Sequence, residues 1–181
     1  MQVTLPAMVP AGSYQLVIQS GQGSPVDLLP VTVSGRPRLF TPPAIGLPLK
    51  TAFGEHIMLL GLQNAPAADG MLALPPGHPA QIMPVWQAEG LPDADYTLTI
   101  QLLNGAQQII AQRDGMPLDG SAPTSTWAIG EVIPDTISLE IPLETGDGPH
   151  NLLIALYRVE TGERLRLPDG SDHLTIPVKI Q

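Results

Sequence analysis

The chain has 181 residues, 43% of them hydrophobic, so it can bury one core of ordinary size with an extra piece beside it. Its net charge of −9, from 17 acidic and only 8 basic residues, disfavours binding to nucleic acid or anionic lipid, because both need a basic surface. With no cysteine, the chain has no disulfide, thiolate nucleophile or zinc–cysteine site.

Alternation of apolar and polar residues is the main periodicity, and it predicts half-buried antiparallel strands. In YTLTIQLL, which begins at Tyr96, the even-numbered residues are predicted to face the core, and Thr97, Thr99 and Gln101 the other side. The predicted strands, in chain order, are residues 2–6, 13–20, 27–34, 55–63, 80–87, 96–103, 107–112, 132–141, 150–158 and 173–180.

Turn residues separate these strands, and no segment keeps helical spacing for three turns. The 21 prolines and 18 glycines interrupt most windows that could form a helix. We therefore predict an all-β fold, an antiparallel two-sheet β-sandwich of immunoglobulin-like architecture, with an extra three-stranded piece at the N-terminus.

A partial internal repeat divides the chain. Residues 3–20 align with residues 139–156 at a constant offset of 136, which matches Leu16 with Leu152 and Ile18 with Ile154. The strands that follow, VTV at 31–33 and VKI at 178–180, match if the second copy has a longer hairpin.

The repeat predicts three parts. Residues 1–35 would be the tail of a preceding sandwich unit, residues 36–52 a linker, and residues 53–181 a complete sandwich. Because three short strands bury too little surface to be stable alone, the N-terminal piece is expected to dock on the complete unit, on another molecule or on a preceding domain. The chain is accordingly expected to be a fragment of a longer protein.

Several phrases carry a resemblance to a known kind of module. They are FGEHIMLLGLQ at 53–63, LALPPGHPAQIMPVWQAEG at 72–90, the segment from DYTLTIQLL to GEVIPD at 95–135, and GPHNLLIALYRVETGERL at 148–165. In this order they resemble the extracytoplasmic β-sandwich module that follows the membrane helices of bacterial integral-membrane glycosyltransferase-like proteins. His150 and Arg158 depart from that pattern, which usually has an aromatic and an acidic residue at these places.

The resemblance implies a non-catalytic accessory module outside the cytoplasm, attached to the membrane through another part of its protein. In that family the transfer chemistry belongs to loops between membrane helices, so the resemblance supplies no catalytic residue. The implied partner is glycan or a surface protein. The alternative is a structural or adhesive spacer that acts by tandem repetition or by strand addition.

The segment QRDGMPLDGSAPTSTWAIGE at 112–131 contains the ligand-binding candidates. Asp114, Asp119 and Glu131 could converge on Ca²⁺, which takes six to eight oxygen ligands. Asp114 and Asp119 each precede a glycine, however, and this favours turns stabilised by their own side chains. Trp127 lies outside any predicted strand, so it is either a platform for stacking a sugar or a plug at the end of the sandwich.

Other polar groups give weaker signals. The four histidines lack metal-ligand spacing, and no serine stands in a nucleophile elbow. DGSDH at 169–173 could bind a cation or form an Asx-type turn into the last strand. We predict no cofactor, no metal site and no catalytic residue.

Overall fold

The computed structural model describes residue 9 and residues 12–67, 69–146 and 148–181. It divides into two compact units, residues 1–37 and 38–181. The predicted strand 2–6 lies outside the described residues. Within the described ranges, no helix is long and apolar enough to cross a membrane.

The first unit is a β-hairpin. Strand β1 (Gly12–Ile18) pairs antiparallel with β2 (Val26–Val33), with a β-bulge next to Leu16. Both strands were predicted to within about two residues.

The second unit is built from eleven described strands. They are β3 (Leu47–Phe53), β4 (Ile57–Leu62), β5 (Leu72–Leu74), β6 (Pro79–Ile82), β7 (Pro84–Ala88), β8 (Thr97–Leu103), β9 (Ile109–Gly115), β10 (Val132–Pro134), β11 (Ile137–Glu140), β12 (His150–Tyr157) and β13 (Leu174–Ile180). One sheet has the order β10-β7-β4-β3, a second β5-β13-β12-β8-β9, and β6 pairs with β11 in a small third sheet. All pairs are antiparallel except β13 with β5.

Both large sheets contribute to one apolar core. Its largest fully buried side chains include Trp86, Trp127, Phe53, Leu59, Leu62, Ile100 and Leu102. The rings of Phe53 and Trp86 meet edge to face at 5.4 Å between centroids, a favoured aromatic geometry. The unit is therefore an all-β sandwich, as predicted.

Two of the predicted strands are each divided into two shorter strands, which belong to different sheets. The segment predicted at 80–87 forms β6 and β7, and the segment at 132–141 forms β10 and β11. Pro84 begins β7 and Pro134 ends β10, so both changes occur next to a proline. Since proline donates no hydrogen bond to a ladder, the chain can leave one sheet there and enter another.

The segment expected to be a linker, 36–52, lies largely in the second unit. That unit begins at Arg38, Leu39 forms a bridge with Val132, and β3 pairs with β4. Pro48 and a register shift interrupt the alternation of β3. Because β3 is an edge strand, it tolerates this proline. The proline and the interrupted alternation explain why the sequence did not predict this strand.

The outward face of β8 was predicted to be exposed, and this was wrong. All seven of its residues are buried, Thr99 and Gln101 included. The strand lies between β12 and β9, and the amide of Gln101 donates to the side chain of Gln112 on β9. Side chains on a neighbouring strand, such as Gln112, contact the polar residues of this interior strand and reduce their exposure.

The two matched hairpins are paired alike over three consecutive cross-strand pairs. Leu16 lies opposite Leu29 in the first unit, and Leu152 opposite Ile176 in the second. A proline occupies the same place in both, since Pro30 lies opposite Gln15 and Pro177 opposite Asn151. The similarity in pairing ends there, because the β-bulge after Leu16 has no counterpart between β12 and β13.

Candidate functional site

Trp127 lies in the core of the second unit. The chain reaches it from β9 through a tight turn at Pro117–Gly120, where Leu118 and Asp119 have positive φ, and a short 3₁₀ turn at Thr124–Thr126. Its side chain is fully buried, and its indole N–H donates to the carbonyl of Ala122 at 2.9 Å. A ring enclosed in this way has no face open to a sugar. The geometry therefore agrees with the structural alternative, in which Trp127 fills the end of the sandwich core.

The hydroxyl groups beside Trp127 fasten its loop to the start of β8. The hydroxyl of Thr124 donates to the carbonyl of Ala94 at 2.6 Å and accepts from the backbone N–H of Tyr96 at 2.8 Å. The backbone N–H of Ser125 donates to the carboxylate of Asp95 at 3.1 Å. These bonds explain the PTS sequence as an anchor for the loop.

Glu131 is a buried carboxylate, only 1% exposed. It accepts hydrogen bonds from the backbone N–H of Ala128 at 2.8 Å and from the guanidinium of Arg38. The same guanidinium donates to the carbonyl of Thr126 at 3.0 Å. Arg38 thus braces both ends of the Trp127 loop, a role that its position in an expected linker did not suggest.

The other two candidate carboxylates point elsewhere. Asp114 lies on the edge strand β9 and accepts from the amide of Gln112 at 2.6 Å. Asp119 is exposed, has a left-handed backbone with φ of 50°, and lies 3.5 Å from the guanidinium of Arg113. In the ranges that the structure describes, no three His, Cys, Asp or Glu side chains form a group able to hold a metal ion. Asp114, Asp119 and Glu131 therefore do not converge on a common site, which agrees with the favoured structural interpretation.

The 169–173 segment forms the Asx-type turn. The carboxylate of Asp169 accepts from the backbone N–H of Ser171 at 2.9 Å and from its hydroxyl at 2.6 Å. These bonds lower the pKa of Asp169 from its usual value. The carboxylate of Asp169 therefore stabilises the turn through these hydrogen bonds.

A cavity of about 260 Å³ opens at another part of the sandwich. Its lining combines apolar and polar side chains, namely Phe53, Glu55, His56, Ile57, Pro92, Asp93, Tyr96 and Leu165. Sequence reasoning missed it, because these residues come from three separate segments with no motif between them.

Two residues that line this cavity, Asp93 and Tyr96, form a hydrogen-bonded network with Arg158. The hydroxyl of Tyr96 donates to Asp93 at 2.7 Å, and Arg158 donates to Asp93 at 2.5 Å and to the Tyr96 hydroxyl at 3.2 Å. The guanidinium carbon of Arg158 lies 5.5 Å from the centroid of the Tyr96 ring, within cation–π range.

The network shifts the ionisation of its members. The hydrogen bond from Tyr96, followed by that from Arg158, lowers the pKa of Asp93 from its usual value. Burial, and then the hydrogen bond to Asp93, raises the pKa of Tyr96. At neutral pH Asp93 and Arg158 therefore form a direct ion pair, and the neutral phenol of Tyr96 is hydrogen-bonded to both.

Fold and geometry together define an all-β sandwich. The Trp127 loop, which connects β9 to β10, is held in place by internal hydrogen bonds. No protein-family model matches the chain, and a search of curated proteins also finds no match. The resemblance to membrane glycosyltransferase-like proteins accordingly stays a prediction.

Proposed function

We propose that this chain is a non-catalytic accessory module of a larger, membrane-anchored extracytoplasmic protein. In this proposal sandwich units follow one another along the polypeptide and hold a neighbouring domain or a surface partner in position. The module contributes shape and rigidity.

The equivalence of the two hairpins carries this proposal. Leu16 and Leu29 pair as Leu152 and Ile176 do, and Pro30 and Pro177 share one place in the register. Repetition of a structural unit is how modular proteins extend their reach. A protein of repeated sandwiches separates its functional parts by a set distance.

The Trp127 loop supports the same proposal. Its polar side chains form hydrogen bonds to other groups of the sandwich, as Thr124, Trp127 and Glu131 show. Such bonds stiffen the end of the module, as a spacer requires.

The test is a replacement of the module in the polypeptide that carries it. Residues 38–181 are exchanged for an unrelated β-sandwich with a similar separation between its ends, and a second variant lacks these residues. A positioning role predicts that the exchange keeps the activity of the neighbouring domain, whereas the deletion loses it. If exchange and deletion are equally harmful, positioning alone is refuted.

The second candidate is recognition of glycan beside a membrane glycosyltransferase, and the cavity at Tyr96 favours it. Sugars present apolar C–H faces together with hydroxyls, and this cavity combines the half-buried Leu165 with the polar groups of Glu55 and His56. Small-molecule sites are commonly concave and mostly apolar, with a few polar groups that orient the ligand.

Titration of the chain with cell-envelope polysaccharides and a glycan array test this candidate. Glu55→Gln and His56→Gln should weaken any binding, while Asp114→Asn, on the edge strand, should leave it unchanged. Absence of binding to every polysaccharide, or equal losses in all three variants, would reject glycan recognition at this cavity.

A further inference from the structure

The hairpin of the first unit is apolar on one face. Leu16, Ile18, Leu29 and Val31 share that face, because alternate residues of a strand point the same way. Ile18 is 47% exposed and Leu29 49% exposed. Among the described residues of the first unit no further strand or helix is present to cover them.

The equivalent face in the second unit is covered. Leu152, Ile154, Ile176 and Val178 are at most 5% exposed and belong to the core between the two large sheets. Apolar residues at the matched positions therefore form a sandwich interior where a second sheet is present.

The second unit also identifies what lies beside such a hairpin. The outer edge of β12 pairs antiparallel with β8, which brings Leu102 opposite Leu152 and Ile100 opposite Ile154. The outer edge of β13 pairs in parallel with the short strand β5. A hairpin of this kind thus has a strand on each side and a sheet across one face.

The composition of β1 agrees with a paired edge. Free edge strands are usually protected by charged side chains or proline, but GSYQLVI in β1 contains neither. Within the two strands the one charge and the one proline, Asp27 and Pro30, are both on β2.

We propose that the outer edge of β1 and the Leu16 face of the hairpin dock onto the remainder of a sandwich unit that lies N-terminal to it in the same polypeptide. A strand equivalent to β8 pairs antiparallel with β1, and a sheet equivalent to β10-β7-β4-β3 covers Leu16, Ile18, Leu29 and Val31. The hairpin is then the last pair of strands of that unit. This inference rests on the proposed tandem arrangement and identifies the partner of the hairpin.

Hydrogen exchange measured by mass spectrometry tests it on two proteins, the 181-residue chain and the full-length polypeptide encoded by its gene, which the proposal requires to be longer. We expect amides of β1 to exchange roughly a hundredfold more slowly in the longer polypeptide, since pairing and burial protect them there. Amides of β8 and β12 serve as an internal reference and should be protected equally in both.

A matched pair of substitutions in the longer polypeptide locates the docking face. Leu16→Glu places a charge on the apolar face and should return β1 to fast exchange. Gln15→Glu places the same charge on the opposite face of the same strand and should change little. Equal effects of the two substitutions would overturn the assignment of the face.

Three results would overturn the proposal itself. They are fast exchange of β1 in the longer polypeptide, a natural polypeptide with no sandwich-sized segment before the hairpin, and full protection already present in the 181-residue chain. In the last case, protection that does not depend on protein concentration would indicate docking within one molecule. Protection that rises with protein concentration would indicate docking onto a second copy of the chain. Loss of function on exchanging residues 38–181 would refute positioning but leave the docking result unaffected.

Discussion

The guanidinium of Arg38 donates a hydrogen bond to the buried carboxylate of Glu131, 93 residues further along the chain. It joins the start of the second unit to the end of the Trp127 loop, because it also binds the carbonyl of Thr126. A buried carboxylate that loses its cation is destabilising. We expect Arg38→Met to lower the free energy of unfolding by about 2 kcal/mol, since the arginine itself is partly exposed.

Urea denaturation followed by tryptophan fluorescence measures this loss. Arg113→Met is the matched control, because its ion pair with Asp119 lies on the surface and is worth less than about 1 kcal/mol. Equal losses in the two variants would contradict a bracing role for Arg38.

The two tryptophans allow the hydrogen bond of Trp127 to be separated from its packing. Both side chains are fully buried, but the indole N–H of Trp127 donates to Ala122, whereas that of Trp86 has no partner among the described residues. Replacement by phenylalanine should therefore cost about 1 kcal/mol more at Trp127 than at Trp86. Thermal and chemical denaturation of Trp127→Phe and Trp86→Phe give the comparison, and a larger loss at Trp86 would contradict it.

Asp135 gives the sandwich a pH dependence of unusual sign. Burial raises the pKa of Asp135 above its usual value of 3.8, against the opposing effect of hydrogen bonds from the backbone of Leu118 and Thr136. A carboxyl group with a raised pKa in the folded state favours folding fully below its unfolded value, and this contribution is lost as pH rises through the folded value. Ionised Asp135 therefore destabilises the fold at neutral pH.

Asp135→Asn removes this ionisation while its amide oxygen can still accept from the N–H of Thr136. We expect the stability of the variant relative to the wild type to increase between pH 3 and pH 7. Urea denaturation across that range measures the difference, and Asp114→Asn, on the exposed edge, is the control. A difference between variant and wild type that stays constant with pH would reject the prediction.

The Tyr96 hydroxyl is expected to control the ionisation of Asp93. Its hydrogen bond is the main cause that lowers the pKa of Asp93, so Tyr96→Phe should raise that pKa toward the ordinary value. Carboxyl NMR titration of Asp93 measures the change. Tyr157→Phe is the control, because the Tyr157 hydroxyl makes no bond to Asp93 among those that the structure describes, and an equal shift there would contradict the assignment.

Sequence patterns predicted much of the fold through local physics. Alternation at Leu98, Ile100 and Leu102 predicted a strand because side chains on a strand point alternately to two faces. The match of Leu16 with Leu152 predicted two similar hairpins, and the pairing of Leu16 with Leu29 does resemble that of Leu152 with Ile176. Such features depend on neighbours a few residues apart, so the chain encodes them directly.

The tertiary structure alone decided what each strand and polar group contacts. Alternation predicts two faces but does not say which sheet will cover them, so the burial of Thr99 and the change of sheet at Pro84 were not predicted. For Trp127 the sequence favoured a plug over a sugar platform, and the folded structure places its ring in the core. The partner of Glu131 lies 93 residues away, and only folding brings Arg38 to it, because burial and ion pairing are properties of assembled layers.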